Sequence, residues 1–136
     1  MLEDWILKKK EIEGSKDSLQ GVDLCNAKLM KAKLGFAQLE NADLTAAYLI
    51  QADLRGANLT GADLTQAVLS EADMSGANFD GTELVDAFLN GANLKNALNL
   101  TCDQIELSNF DKDTVFPDYI KITWSLDGTC SCFDEK

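Results

Sequence analysis

The sequence predicts a solenoid, a chain that bends once every five residues about a common axis, and three observations lead to it. Leucine recurs without insertion at Leu19, Leu24, Leu29, Leu34, Leu39, Leu44, Leu49, Leu54, Leu59, Leu64 and Leu69, and the register continues through Met74, Phe79, Leu84, Leu89 and Leu94. Two residues before each stands a small one: alanine throughout from Ala27 to Ala77, then Thr82, Ala87 and Ala92. Third, a period of five fits no regular element. Residues five apart step round a helix by about 140° and share no face. An odd spacing along a strand throws successive leucines to opposite sides. What remains is a chain that turns the same way in every unit, so that each leucine points to one axis; such units contact only their neighbours and bury no core alone.

The units Ala-Asp-Leu-Thr-Ala (42 to 46), Ala-Asn-Leu-Thr-Gly (57 to 61) and Ala-Asp-Leu-Thr-Gln (62 to 66) resemble the A(D/N)LXX consensus of the pentapeptide repeat family. Sixteen such units cover 80 of 136 residues. The resemblance implies an all-β fold, a right-handed quadrilateral β-helix with four pentapeptides per coil, hence four coils, with leucine and alanine inside. At about 4.8 Å per coil the repeat rod is about 19 Å tall. Alanine suits the inward position near each corner, where a longer side chain meets backbone. Asp17, Val22 and Thr82 depart from it and mark looser ends.

Taken in order, residues 1–16 read as an N-terminal capping helix with Leu2, Trp5, Ile6 and Ile12 at helical spacing. An open solenoid end leaves unpaired backbone as a template for aggregation, so a cap is required. The repeats occupy 17–96, and residues twenty apart fall on one face. The first face, with Ser18, Gln38, Asn58 and Asn78, is polar. The second carries an acidic ladder, Asp23, Asp43, Asp63 and Glu83, explained by the tendency of Asp and Asn to bond backbone groups in turns. The third turns apolar residues outward: Lys28, Tyr48, Val68 and Phe88 in one column, Met30, Ile50, Ser70 and Asn90 beside it. The fourth, with Lys33, Asp53, Asp73, Asn93 and Arg55, reads as solvated surface. Residues 97–136 form a C-terminal cap and tail. The register fails at Asn99, Thr101-Cys102-Asp103-Gln104 has capping-box spacing, and alternation over 119–126 followed by Asp127-Gly128 reads as a small hairpin or an ordered tail.

Composition narrows function. The chain has 46% hydrophobic residues, no histidine and no run of eighteen apolar residues, and its lysines are placed wrongly for a secretory leader. The expectation is one soluble, cytoplasmic domain with no membrane partner. Four cysteines then argue for free thiols. A bridge from Cys102 to Cys130 or to Cys132 is the alternative, since both lie beyond the turn that returns the tail to the last coil. Cys130-Ser131-Cys132 matches no common zinc frame, and no metal or other cofactor is expected. Without a phosphate loop, a Ser-His-Asp set or a Cys-His pair, the chain is expected not to be an enzyme.

Two functions follow. The first is a protein-interaction module that meets a protein partner or a second copy through Tyr48, Ile50, Val68, Phe88 and Met30, because contiguous exposed apolar surface marks a contact site. Cover by the chain's own tail, through Phe116, Tyr119 or Trp124, is the structural alternative. The second function comes from the resemblance: some pentapeptide repeat proteins bind DNA gyrase as acidic mimics of duplex DNA, and the net charge of −11 agrees in sign. Direct nucleic-acid binding is not expected of so acidic a chain. Duplex of about 19 Å carries about eleven charges. The repeats hold eleven acidic and five basic residues, a net of −6, about half of that. Charge is also polar along the axis: residues 1–33 carry +1 and residues 34–136 carry −12.

Overall fold

A computed structural model describes residues 2–135, so Met1 of the expected cap lies outside the described residues, as does the side chain of Leu2. Four columns of parallel bridges run along the chain. They link Asp23–Asp43–Asp63–Glu83, Lys28–Tyr48–Val68–Phe88, Lys33–Asp53–Asp73–Asn93 and Gln38–Asn58–Asn78–Leu98, each step being twenty residues. Four columns at that repeat make a four-sided coil. Ser18 does not join the first-face column. It belongs to a 3-10 turn (Lys16–Ser18), and Gln38 N–H reaches Lys16 O instead.

The backbone bonding explains the pentapeptide. In the unit of Leu44, Ala42 N–H closes a turn on Leu39 O, Asp43 N–H donates to Val22 O one coil back, and Leu44 and Ala46 N–H donate to Asp63 and Thr65 O one coil on. The fifth, Thr45 N–H, donates to Asp43 Oδ1 at 3.0 Å. Every N–H of the unit is therefore used. The last residue of each unit turns the corner with positive φ, for example +58° at Ala46 and +69° at Gly61. Glycine recurs there because it adopts this region without strain.

Inside, every leucine from Leu29 to Leu69 and the alanine two residues before each core position from Ala27 to Ala77 is buried to 2% exposure or less. Each buried leucine contributes about 1.5–3 kcal/mol. Met74 and Phe79 are fully buried in the same stack. Thr82, in place of alanine, is 2% exposed and its hydroxyl donates to Leu59 O at 2.7 Å, which satisfies the group.

Both ends are closed by side chains that meet open backbone groups. Helix α1 (Leu2–Gly14) buries Ile12 on the first coil; Glu13 Oε2 accepts Lys33 N–H at 2.6 Å, and Lys9 Nζ donates to Met30 O at 3.2 Å. The expected inward stripe is only partly realised, because Ile6 remains 48% exposed while Trp5 packs against the core edge. At the other end Leu98 takes the outward column position beyond Asn78, and Asn99, with φ +61°, turns the chain so that Leu100 enters the core. Helix α2 (Cys102–Glu106) follows with a complete capping box between Thr101 and Gln104. Gln104 Nε2 donates to Phe79 and Thr82 O, Thr114 Oγ1 to Leu89 O, and Tyr119 OH to Ala97 O. A hairpin of β1 (Ile120–Trp124) and β2 (Cys130–Asp134) turns at Gly128 and pairs Ile122 with Cys132.

Cys102 and Cys132 form a disulfide, while Cys25 and Cys130 are free. The expectation of four free thiols is corrected, and Cys130 is not the partner. Both tail cysteines point to the same side of β2, but Asp134 Oδ2 accepts Cys102 N–H and so sets the start of α2 beside Cys132. Cys130 lies two pairs further along, opposite Trp124. Among the described residues no helix is long and apolar enough to cross a membrane.

Candidate functional site

The outward positions divide by what the residue before each leucine does for its own turn. Where it is Asp or Asn, its side chain accepts the N–H two residues on: Asp23 from Cys25, Asp43 from Thr45, Asp53 from Arg55, Asn58 from Thr60, Asp63 from Thr65, Asp73 from Ser75, Asn78 from Asp80 and Asn93 from Lys95. This is the local bond that lets Asp and Asn dominate turns. The acidic ladder of Asp23, Asp43 and Asp63 is accounted for by the fold, and only Glu83 makes no such bond. Hydrogen bonds from Thr45, first its hydroxyl and then its N–H, hold the Asp43 carboxyl below the usual carboxylate range. Asp53 is lowered chiefly by its side-chain bond to Arg55, a forked pair at 2.7 and 2.8 Å.

At the top of the ladder, ligand atoms of Asp23, Cys25 and Asp43 lie within 4.8 Å of one another. The trio is a poor metal centre. All three are exposed, both carboxylates already serve their turns, and the Cys25 thiol is pushed up by partial desolvation at the surface and by Asp43, Asp23 and Asp63, so it keeps its proton at neutral pH.

The third face is built differently. Tyr48, Val68 and Phe88 hold the position that Asp or Asn holds in most units of the other faces, and they stack by parallel bridges with Lys28 above and Asn109 below. Their backbone N–H groups donate to Ala27, Ala47 and Ala67 O as the fold requires. Their side chains accept nothing, so the N–H groups of Ile50, Ser70 and Asn90 face outward without the turn bond. Tyr48 is 43% exposed, Phe88 41% and Met30 42%, with Ile50 and Val68 half-buried.

The tail leaves this column open. Phe110 packs edge-on against Phe116 and Trp124 with ring centroids 5.3 and 5.9 Å apart, and Tyr119 is held by Ala97 O and Leu100 N–H at the end of the stack. Phe116, Tyr119 and Trp124 are occupied there. Among the described residues of the tail, Asn109 pairs with the foot of the column. At its head, Trp5, Ile6 and Lys9 of α1 line an apolar hollow with Lys28 and Met30. The apolar face is thus longer than its four repeat positions. Helical spacing places Ile6 inward, whereas the structure sets it on the rim of this hollow beside the exposed Met30.

The family model for pentapeptide repeats matches residues 18–45, 47–84 and 72–101, in eight copies. The chain belongs to the pentapeptide repeat family. Members form right-handed quadrilateral β-helices. Among solved structures, this pentapeptide repeat protein is similar to a trypsin-treated form of QnrB1, a plasmid-mediated fluoroquinolone resistance protein, at 21% identity and TM-score 0.54, over 68% of this chain and 50% of that one. It therefore spans half the length of that relative. A pentapeptide repeat protein from Nostoc Pcc 7120 is 30% identical over 83% of this chain and 85% of its own, with TM-score 0.48. Another, from the Arabidopsis thaliana thylakoid lumen, is 26% identical over 85% and 74%, with TM-score 0.41. No curated protein matches the sequence.

Proposed function

We propose that this pentapeptide repeat protein is a non-enzymatic interaction module that meets a protein surface through its third face. One observation carries the reading. Tyr48, Val68 and Phe88 occupy positions where Asp or Asn contributes a turn hydrogen bond, and they forgo that bond while remaining outward. The inward ladder of Leu49, Leu69 and Leu89 is complete without them. Large apolar side chains in a row on a rigid backbone match the energetic centre of an interface, where a few such residues dominate binding.

The test is the variant Tyr48→Ser/Val68→Ser/Phe88→Ser. It should keep the melting temperature of the isolated chain and lose its protein contacts, while a matched change on the polar first face, Asn58→Ser, keeps them. Retained contacts in the triple variant reject the reading.

Gyrase binding by acidic mimicry is the second reading, favoured by the bridged column of Asp23, Asp43, Asp63 and Glu83 and by the net charge of −11. A DNA supercoiling assay separates the two. Inhibition at stoichiometric protein promotes mimicry; full activity with excess protein removes it.

A further inference from the structure

The third face carries a charge order that selects its partner. From head to foot, one edge reads Lys31, Gln51, Glu71 and Gly91, and the other reads Asn26, Ala46, Gln66 and Asp86. Between them run Lys28, Tyr48, Val68 and Phe88. Lys9 reaches the head from α1, where its Nζ bonds Met30 O, and Asp111 reaches the foot, where its Oδ1 accepts Gly91 N–H at 3.1 Å. Positive charge sits at the head and negative charge at the foot.

We propose that the occupant of this face is a second copy of the chain, related by a two-fold axis that lies in the interface between the Tyr48 and Val68 levels and runs across the rods, so that the two rods are antiparallel. This inference rests on the reading of the third face as a protein contact surface. The arrangement is self-complementary at every level. Tyr48 of one copy meets Val68 of the other, and Lys28 of each lies against the Phe88 ring of its partner, a cation on an aromatic face. An in-plane axis of this kind keeps each edge opposite the same edge of the other copy. Gln51 therefore meets Glu71, Asn26 meets Asp86, and the lysine-bearing head of one rod, with Lys9, meets the Asp111 foot of the other. Parallel rods put Lys28 on Lys28 and bring the two lysine-bearing heads together, which like-charge repulsion disfavours. Isologous pairing is the commonest form of self-assembly because one patch serves both subunits.

The test uses the full chain with Cys25→Ser and Cys130→Ser and the Cys102–Cys132 bridge intact. Two single variants, Lys28→Cys and Phe88→Cys, are mixed and treated with a short bismaleimide. The mixture should give a crosslinked dimer, and Lys28→Cys alone should give none. Crosslinking of Lys28→Cys to itself establishes parallel rods and overturns the proposal. Sedimentation of the chain without these two changes should show doubled mass at high micromolar concentration, with the triple serine variant at single mass. A chain that stays at single mass up to millimolar concentration also overturns the proposal. If that monomeric chain still loses a heterologous contact through the triple serine change, the contact surface stands and only its occupant is wrong. If no contact of either kind depends on the face, both fail.

Discussion

Asp43 Oδ1 accepts the N–H of Thr45 at 3.0 Å, and one unit later Tyr48 leaves the equivalent N–H of Ile50 unbonded. The contrast turns an outward residue into a question about stability. Val68→Asn restores the missing bond on the third face, donated by Ser70 N–H. It should stabilise the isolated chain by about 0.5–1.5 kcal/mol while abolishing association through that face. Denaturant unfolding and sedimentation on the same sample check both halves; a Val68→Asn protein that is less stable shows that Val68 serves the fold.

Acid should weaken the stack through the same turns. The folded Asp43 carboxyl lies below its ordinary value of 3.8, so its contribution is present above that value and is lost as pH falls through the lowered one. Asp43→Asn keeps the bond at every pH. Its melting temperature should therefore fall less than that of the unchanged chain below about pH 4. Parallel acid profiles for the two proteins contradict the assignment.

Corners are a separate source of stability. Ala46 sits at φ +58°, a region glycine occupies without strain, and Ala46→Gly should stabilise by about 0.5–1 kcal/mol. Gly61 is the converse. At φ +69° an added Cβ also meets Asn41 Oδ1, so Gly61→Ala should lower the midpoint of urea unfolding. Opposite signs at the two corners are the expected outcome, and equal signs contradict it.

The Cys102–Cys132 bridge spans 30 residues and should contribute about 3.5 kcal/mol in the chain-entropy description. Reductant should release the hairpin before the repeats unfold, since the core from Leu29 to Leu69 makes no use of it. Mass spectrometry of protein prepared without reductant should count two free thiols, Cys25 and Cys130. Four overturn the pairing.

Much of this was legible because one period controls everything inside. The leucine register and the twenty-residue columns follow from the sequence, as does the capping box at Thr101, because each rests on contacts within one coil or between adjacent coils. Three features escaped for physical reasons. Ser18 is drawn out of its column because the chain must tighten into a 3-10 turn to leave α1. The exposure of Ile6 depends on how one helix lies across one coil, which spacing alone does not specify. The choice of Cys132 over Cys130 follows from the Asp134 bond to α2, a contact 32 residues apart in sequence. The candidate face itself was readable as an apolar column, but whether the tail covered it turned on Phe110, which draws Phe116 and Trp124 into a cluster of their own.

The most direct test of the central claim is a photocrosslinking residue placed at Val68 and, separately, at Asn58 on the polar face of the same rod. The account predicts protein adducts from position 68, whether to a second copy or to another protein, and their loss when Tyr48 and Phe88 are serine, with little adduct from position 58. Equal adducts from both positions, or adducts from 68 that survive the serine changes, contradict it.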